Sequence, residues 1–133
     1  MPAPSFPAAS LYVALGGGVG AWLRYASGVA IFRSLGPAVQ FPWPTLAVNV
    51  LGSLAMGLLA GWLARYGSGG ETWRLLLGVG LLGGFTTFSA FSLELVLMVE
   101  RGEIATAALY SGVSMLAGVG ALFAGLALMR VAT

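Results

Sequence analysis

The chain has 133 residues, 59% of them hydrophobic and only 8% charged, and six Lys+Arg against four Asp+Glu leave a formal net charge of +2. A soluble domain uses about 25% charged residues to cover its surface, so a chain with a mean hydropathy of +0.95 must present most of its surface to lipid. Neither His nor Cys is present, which removes the usual imidazole base, thiol nucleophile, disulfide and zinc ligands, and with them most enzyme classes; the cations are single, scattered Arg residues and form no nucleic-acid patch.

Residues 1–10, MPAPSFPAAS, hold three Pro and no Lys or Arg, so they lack the basic start of a secretory signal and read as a short irregular lead. A single transmembrane domain over 11–133 follows. It contains four apolar stretches, Leu11 to Phe32, Thr45 to Ala64, Trp73 to Val99 and Ile104 to Met129, each near the roughly 20 residues that cross a hydrocarbon core. The connections are short: Arg33 to Pro44, rich in Pro and Gly; Arg65 to Thr72, centred on Gly67-Ser68-Gly69-Gly70; and the tight Glu100-Arg101-Gly102-Glu103. Trp43, Tyr66 and Trp73 stand at span ends, where amphipathic rings favour the headgroup layer, and Pro44 suits a first helical turn. The expected fold is an all-α bundle of four transmembrane helices.

Gly accounts for 21 residues, well above the roughly 7% average, and much of it falls in small-xxx-small spacing at Gly16/Gly20, Ser53/Gly57/Gly61 and Gly80/Gly84. Lipid gives helices no hydrophobic reason to associate, so close backbone packing must hold them together. Orientation is weakly encoded. Arg65, Arg74 and Arg130 fall on one side of the membrane and Arg33 and Arg101 on the other, a bias small enough for the chain to insert both ways and pair with an inverted copy.

Several residues do not suit lipid. In the third span Gly78, Gly80, Gly83 and Gly84 precede Thr86-Thr87, so helix propensity collapses near mid-membrane and a break is expected between Gly83 and Thr87. Non-helical backbone at that depth is tolerated where protein or an aqueous cavity satisfies it, which marks an ion or substrate site, although a Gly-rich kink needed only for packing has the same signature. Beyond the break, Phe85, Phe88 and Phe91 interleave with Thr86, Thr87, Ser89 and Ser92; Phe88, Phe91, Thr87 and Glu94 share one helical side. Phenyl rings commonly fill cores, but a ring edge is electropositive, so edges and hydroxyl donors together suit a small hard anion.

Asn49 lies among apolar neighbours with Ser53 one turn on, and Thr106, Tyr110 and Ser114 form a polar stripe on the fourth span; helix glue and pore lining are both open for these. Arg24 and Glu94 are ionisable groups within spans and therefore functional candidates, Arg24 as an anion-attracting vestibule group unless it snorkels to the interface.

Taken together these residues resemble the Fluc (CrcB) fluoride channels of microbial membranes. The resemblance rests on Gly20-Ala21-Trp22-Leu23-Arg24-Tyr25, Thr45-Leu46-Ala47-Val48-Asn49-Val50-Leu51-Gly52, residues Gly83 to Ser92, and Glu100-Arg101-Gly102, in order across four spans. It implies a passive, fluoride-selective channel in the cell membrane, working as an antiparallel, dual-topology homodimer with two pathways and one structural sodium ion at its centre. It also implies that Asn49, Thr87, Phe88, Phe91, Glu94, Tyr110 and Ser114 belong to the fluoride pathway and that backbone carbonyls of Gly83 and Thr86 hold the sodium. Ala90 and Gly118 depart from the family, standing where many members have Thr and some have Ser. The competing readings are a proton-coupled small multidrug exporter, which needs a carboxylate in a first span that here holds none, and a non-transporting subunit packed by its glycines.

Overall fold

Four helices long and apolar enough to cross a membrane follow one another in the computed structural model, which describes residues 2 to 132, with Tyr66 and Ser68 described by backbone alone. They are α1 (Phe6–Leu35), α2 (Trp43–Tyr66), a third span divided into α3 (residues 71–85) and α4 (Phe88–Glu100), and α5 (Ile104–Val131); a 3₁₀ turn, Gly67–Gly70, joins α2 to α3. No strand occurs among the described residues. Trp43 and Trp73 lie at helix ends and are exposed, as amphipathic rings at an interface should be; the same expectation for the Tyr66 ring lies outside the described residues.

The irregular lead is shorter than its Pro content suggests. Helix α1 starts at Phe6 and not at Leu11, because Pro7 occupies the first turn, where a missing N–H costs nothing. With 30 residues α1 is about 45 Å long, enough to cross both headgroup layers. Pro44 sits in the first turn of α2 by the same logic. Gly102 makes the tight return between α4 and α5: at φ 78° it takes a conformation unfavourable to side-chain-bearing residues, and the amides of Arg101, Gly102 and Glu103 close onto the carbonyls of Leu97, Val99 and Met98. Beside it the Arg101 guanidinium bonds Glu103 and holds its exposed carboxyl below the usual glutamate range.

The helices approach mainly in two pairs, α1 with α3 and α2 with α5. Both are built on the small-residue spacings seen in the sequence. A methyl added to Gly16 would meet the Leu76 carbonyl, one on Gly20 the Leu81 carbonyl, and one on Gly84 the Gly17 carbonyl. Across the other pair, a methyl on Gly57 would meet the Leu122 carbonyl, and one on Gly125 would stand 2.7 Å from the Leu58 nitrogen. Backbone lies against backbone at each point, so larger side chains there must separate the helices.

One feature has no sequence precedent. Arg74–Leu82 is a wide π-helical stretch, in which the Gly83 amide reaches back to the Gly78 carbonyl. Such widening is usually a single turn and occurs often at functional sites. Here it lies just before the break, against the glycine face of α1.

Candidate functional site

The break falls where the glycine run ends. Thr86 (φ −85°, ψ 156°) and Thr87 (φ −149°, ψ 119°) are extended, and α4 restarts at Phe88 with the Thr87 hydroxyl accepting from the Ala90 amide at 3.2 Å as an N-cap. From α2, Asn49 clamps the extended segment. Its Nδ2 donates to the Thr87 carbonyl at 3.0 Å, and its Oδ1 accepts from the Thr87 amide at 2.8 Å.

These bonds determine which carbonyls the break leaves open. In a continuous α-helix the Gly83 carbonyl would accept from the Thr87 amide and the Thr86 carbonyl from the Ala90 amide. Both amides are instead taken by side chains, Asn49 Oδ1 and Thr87 Oγ1. Leu82, by contrast, accepts from both the amide and the hydroxyl of Thr86, at 3.0 and 2.8 Å. The Gly83 and Thr86 carbonyls thus lose the amides that a continuous helix would give them, as do those of Gly84 and Phe85 at the same break.

Asn49, Thr87, Phe88, Phe91 and Ser114 line one groove of about 610 Å³, together with Ser53, Thr86, Ser111 and Gly118. Most of its hydroxyl protons are already committed. Ser53 donates to the Asn49 carbonyl at 2.7 Å, Ser111 to the Ala107 carbonyl at 2.8 Å, and Thr86 to Leu82. Ser114 differs: its Oγ is buried with no hydrogen-bond partner among the described residues. A buried hydroxyl without a partner is costly, and in a groove of this kind it is a donor waiting for an acceptor. Phe88 stands over the groove 80% exposed, its ring centre 5.9 Å from that of Phe91.

Glu94 and Tyr110 lie outside that groove. Tyr110 is fully buried, and its hydroxyl donates to Glu94 Oε2 at 2.7 Å, while the Thr45 hydroxyl donates to Oε1 at 2.5 Å. The Phe91 ring, which lines the groove, lies 5.0 Å from that of Tyr110, and Phe41 packs edge-on against Tyr110 at 5.4 Å. Glu94 and Thr45 line a second cavity of about 220 Å³. Arg24 belongs to a third, of about 180 Å³, with Thr45, Thr87 and Ala90, and its Nε donates to the Gly84 carbonyl at 3.2 Å. The expected pathway residues thus line adjoining cavities, except Tyr110, which lines none of them and touches the second through Glu94.

Thr45 is the residue that sequence reasoning missed. It is buried, touches Glu94, and lines both smaller chambers. The signal was present: Thr45, Asn49 and Ser53 recur every four residues, so the polar stripe on α2 begins one turn before Asn49. Thr106, the first member of the α5 stripe, lines none of these three cavities.

These features define a multi-pass, all-α membrane protein with a broken intramembrane helix clamped beside a largely apolar groove that holds a few polar groups; broken helices of this kind house ion and substrate sites in membrane proteins. The family model for CrcB-like protein, Camphor Resistance (CrcB), matches residues 11–126, and the chain belongs to that family. Among its relatives, the fluoride-specific ion channel FluC of Novosphingobium aromaticivorans is 61% identical, the alignment covering 92% of this chain and 96% of that protein. Proteins of the same name from Phenylobacterium zucineum and Erythrobacter litoralis are 58% and 56% identical, each over 92% of this chain and over 95% and 93% of their own lengths.

Proposed function

We propose that this protein is a fluoride channel that lets the ion leave the cell passively. The relatives' name supplies the ion; in this chain the reading is carried by the Ser114 hydroxyl, buried and unclaimed in a groove that also presents the Phe88 and Phe91 rings and the Asn49 amide. Fluoride is small and tightly hydrated, so a path must replace water with close donors yet bind weakly enough to release the ion. Ring edges add positive potential without a full charge. Glu94, tied by Thr45 and Tyr110, and Arg24 flank the groove in adjoining chambers.

The working unit in this reading is an antiparallel, dual-topology homodimer with two pathways. Its support is the near-even distribution of Arg between the two sides and the exposure of Phe88, an apolar ring beside the groove that a second copy would cover. In this reading the carbonyls of Gly83 and Thr86 would hold a structural sodium ion, which would supply a fixed positive charge there.

Liposome flux tests the reading. The purified protein should pass fluoride down its gradient and exclude chloride; flux that required a proton gradient and a drug would indicate an exporter, and no flux a subunit without transport.

A further inference from the structure

We infer that Arg24 is a positioning residue that caps the broken helix α3 at Gly84, acting through the Nε–H donor and not through its charge. The last carbonyls of any helix lack intrahelical partners, and the end of α3 is no exception. Leu82 is satisfied by Thr86, while the Gly83 and Thr86 carbonyls lose their helical amides to side chains. Gly84 lies between them, and in an unbroken helix it would accept from the Phe88 amide. Its partner here is Arg24 Nε at 3.2 Å.

The approach is built by the glycine packing. A methyl at Gly84 would meet the Gly17 carbonyl and stand 3.1 Å from the Ala21 nitrogen, so α1 passes at backbone contact and Arg24, one turn beyond, arrives over the end of α3. Arg24 from α1 and Asn49 from α2 therefore grip the break from two sides, Arg24 on the last turn before it and Asn49 on Thr87 within it. By occupying the Gly84 carbonyl, Arg24 keeps the two half-helices from closing into one, while the Gly83, Phe85 and Thr86 carbonyls stay without a helical donor.

Two substitutions separate donor from charge. Gln carries an amide nitrogen at the same distance along the side chain as Arg Nε, so Arg24→Gln keeps a donor for Gly84 and loses the charge, whereas Arg24→Met has the same reach and neither. The readouts are hydrogen exchange at the Thr87 and Phe88 amides by NMR in detergent, and fluoride flux in liposomes. Only the flux arm rests on the channel reading: if the unsubstituted protein passes no fluoride, that reading fails while exchange still decides the cap. The expected result is exchange near that of the unsubstituted protein in Arg24→Gln, and a change of about tenfold or more in Arg24→Met, the scale of one lost hydrogen bond, with lower flux in Arg24→Met than in Arg24→Gln. Equal losses in both variants would show that the charge is what matters, and no change in either would show that the contact is idle; both outcomes overturn the inference. If Arg24→Met does not fold, Arg24→Gln decides by itself: retained exchange supports the cap, and a tenfold change in exchange overturns it.

Discussion

Asn49 and Thr87 exchange two hydrogen bonds across the gap between α2 and the broken third span, the amide nitrogen giving to the carbonyl at 3.0 Å and the amide oxygen taking from the N–H at 2.8 Å. One side chain thus satisfies both backbone groups of an extended residue in mid-membrane. Asn49→Ala should destabilise the protein by about 1–3 kcal/mol for each group left unpaired and should abolish flux. Asn49→Asp keeps the acceptor, so it should melt closer to the unsubstituted protein while still conducting poorly, because it loses the donor and adds negative charge beside an anion path. Thermal melting and liposome flux check both variants.

Ser114 offers the opposite combination. Its hydroxyl is buried without a partner, so removing it relieves a desolvation cost. Ser114→Ala should leave the melting temperature unchanged or slightly raised and reduce fluoride flux about tenfold, the scale of one donor lost to the ion. A variant that conducts normally would remove Ser114 from the path.

The phenyl pair can be tested for chemistry apart from bulk. Phe88→Ile and Phe91→Ile retain apolar volume and discard the ring quadrupole. Phe88 is mostly exposed and should lose flux with little loss of stability, whereas Phe91, packed on Tyr110, should also lose about 0.5–1.5 kcal/mol of ring–ring contact. Normal flux in the folded double variant would identify the rings as filler.

Thr45 should prove as sensitive as the residues picked from sequence. Thr45→Val keeps the shape and removes the hydroxyl that bonds Glu94, and it should cost about 1–3 kcal/mol by leaving a carboxylate oxygen short of a donor. Thr45→Ser restores the hydroxyl and should melt near the unsubstituted protein.

Insertion in both orientations is testable by charge. Three Lys added to the C-terminus should force one orientation, silence the protein when expressed alone, and be rescued by co-expression with an oppositely biased copy. Full activity of the biased copy alone would exclude an antiparallel dimer.

Much of this was legible in the sequence because lipid imposes strict rules. Span number, the break between Gly83 and Thr87, and the packing of Gly16, Gly20, Gly57 and Gly84 follow from hydropathy, helix propensity and spacing, each a local property. The early start of α1 escaped because Pro7 suggests irregular chain to a reader and a first turn to a helix. The π-helical stretch escaped because Gly78 and Gly80 weaken helix propensity without specifying a wider turn; it lies against Gly16 of α1, a contact between residues far apart in sequence. That Glu94 and Tyr110 lie outside the groove of Asn49 and Ser114 escaped for a different reason: periodicity assigns each residue a face, but not which faces of α4 and α5 meet.

The pairing of α1 with α3 and α2 with α5 bears on how the molecule is made. Neither partner is the next helix in the chain. As synthesis proceeds, the glycine face of α1 has nothing to seat against until residues 76–84 have entered the bilayer, and Gly57 waits longer still, for Leu122 on the last span. Two grooved helices must therefore stay in lipid without their main partners until the second half of the chain is made, and the final turns of α5 complete the second seam. A nascent chain stalled within α5 would hold the break and its Asn49 clamp on an α2 that still lacks its main partner, so the order of synthesis sets when the clamp is secured.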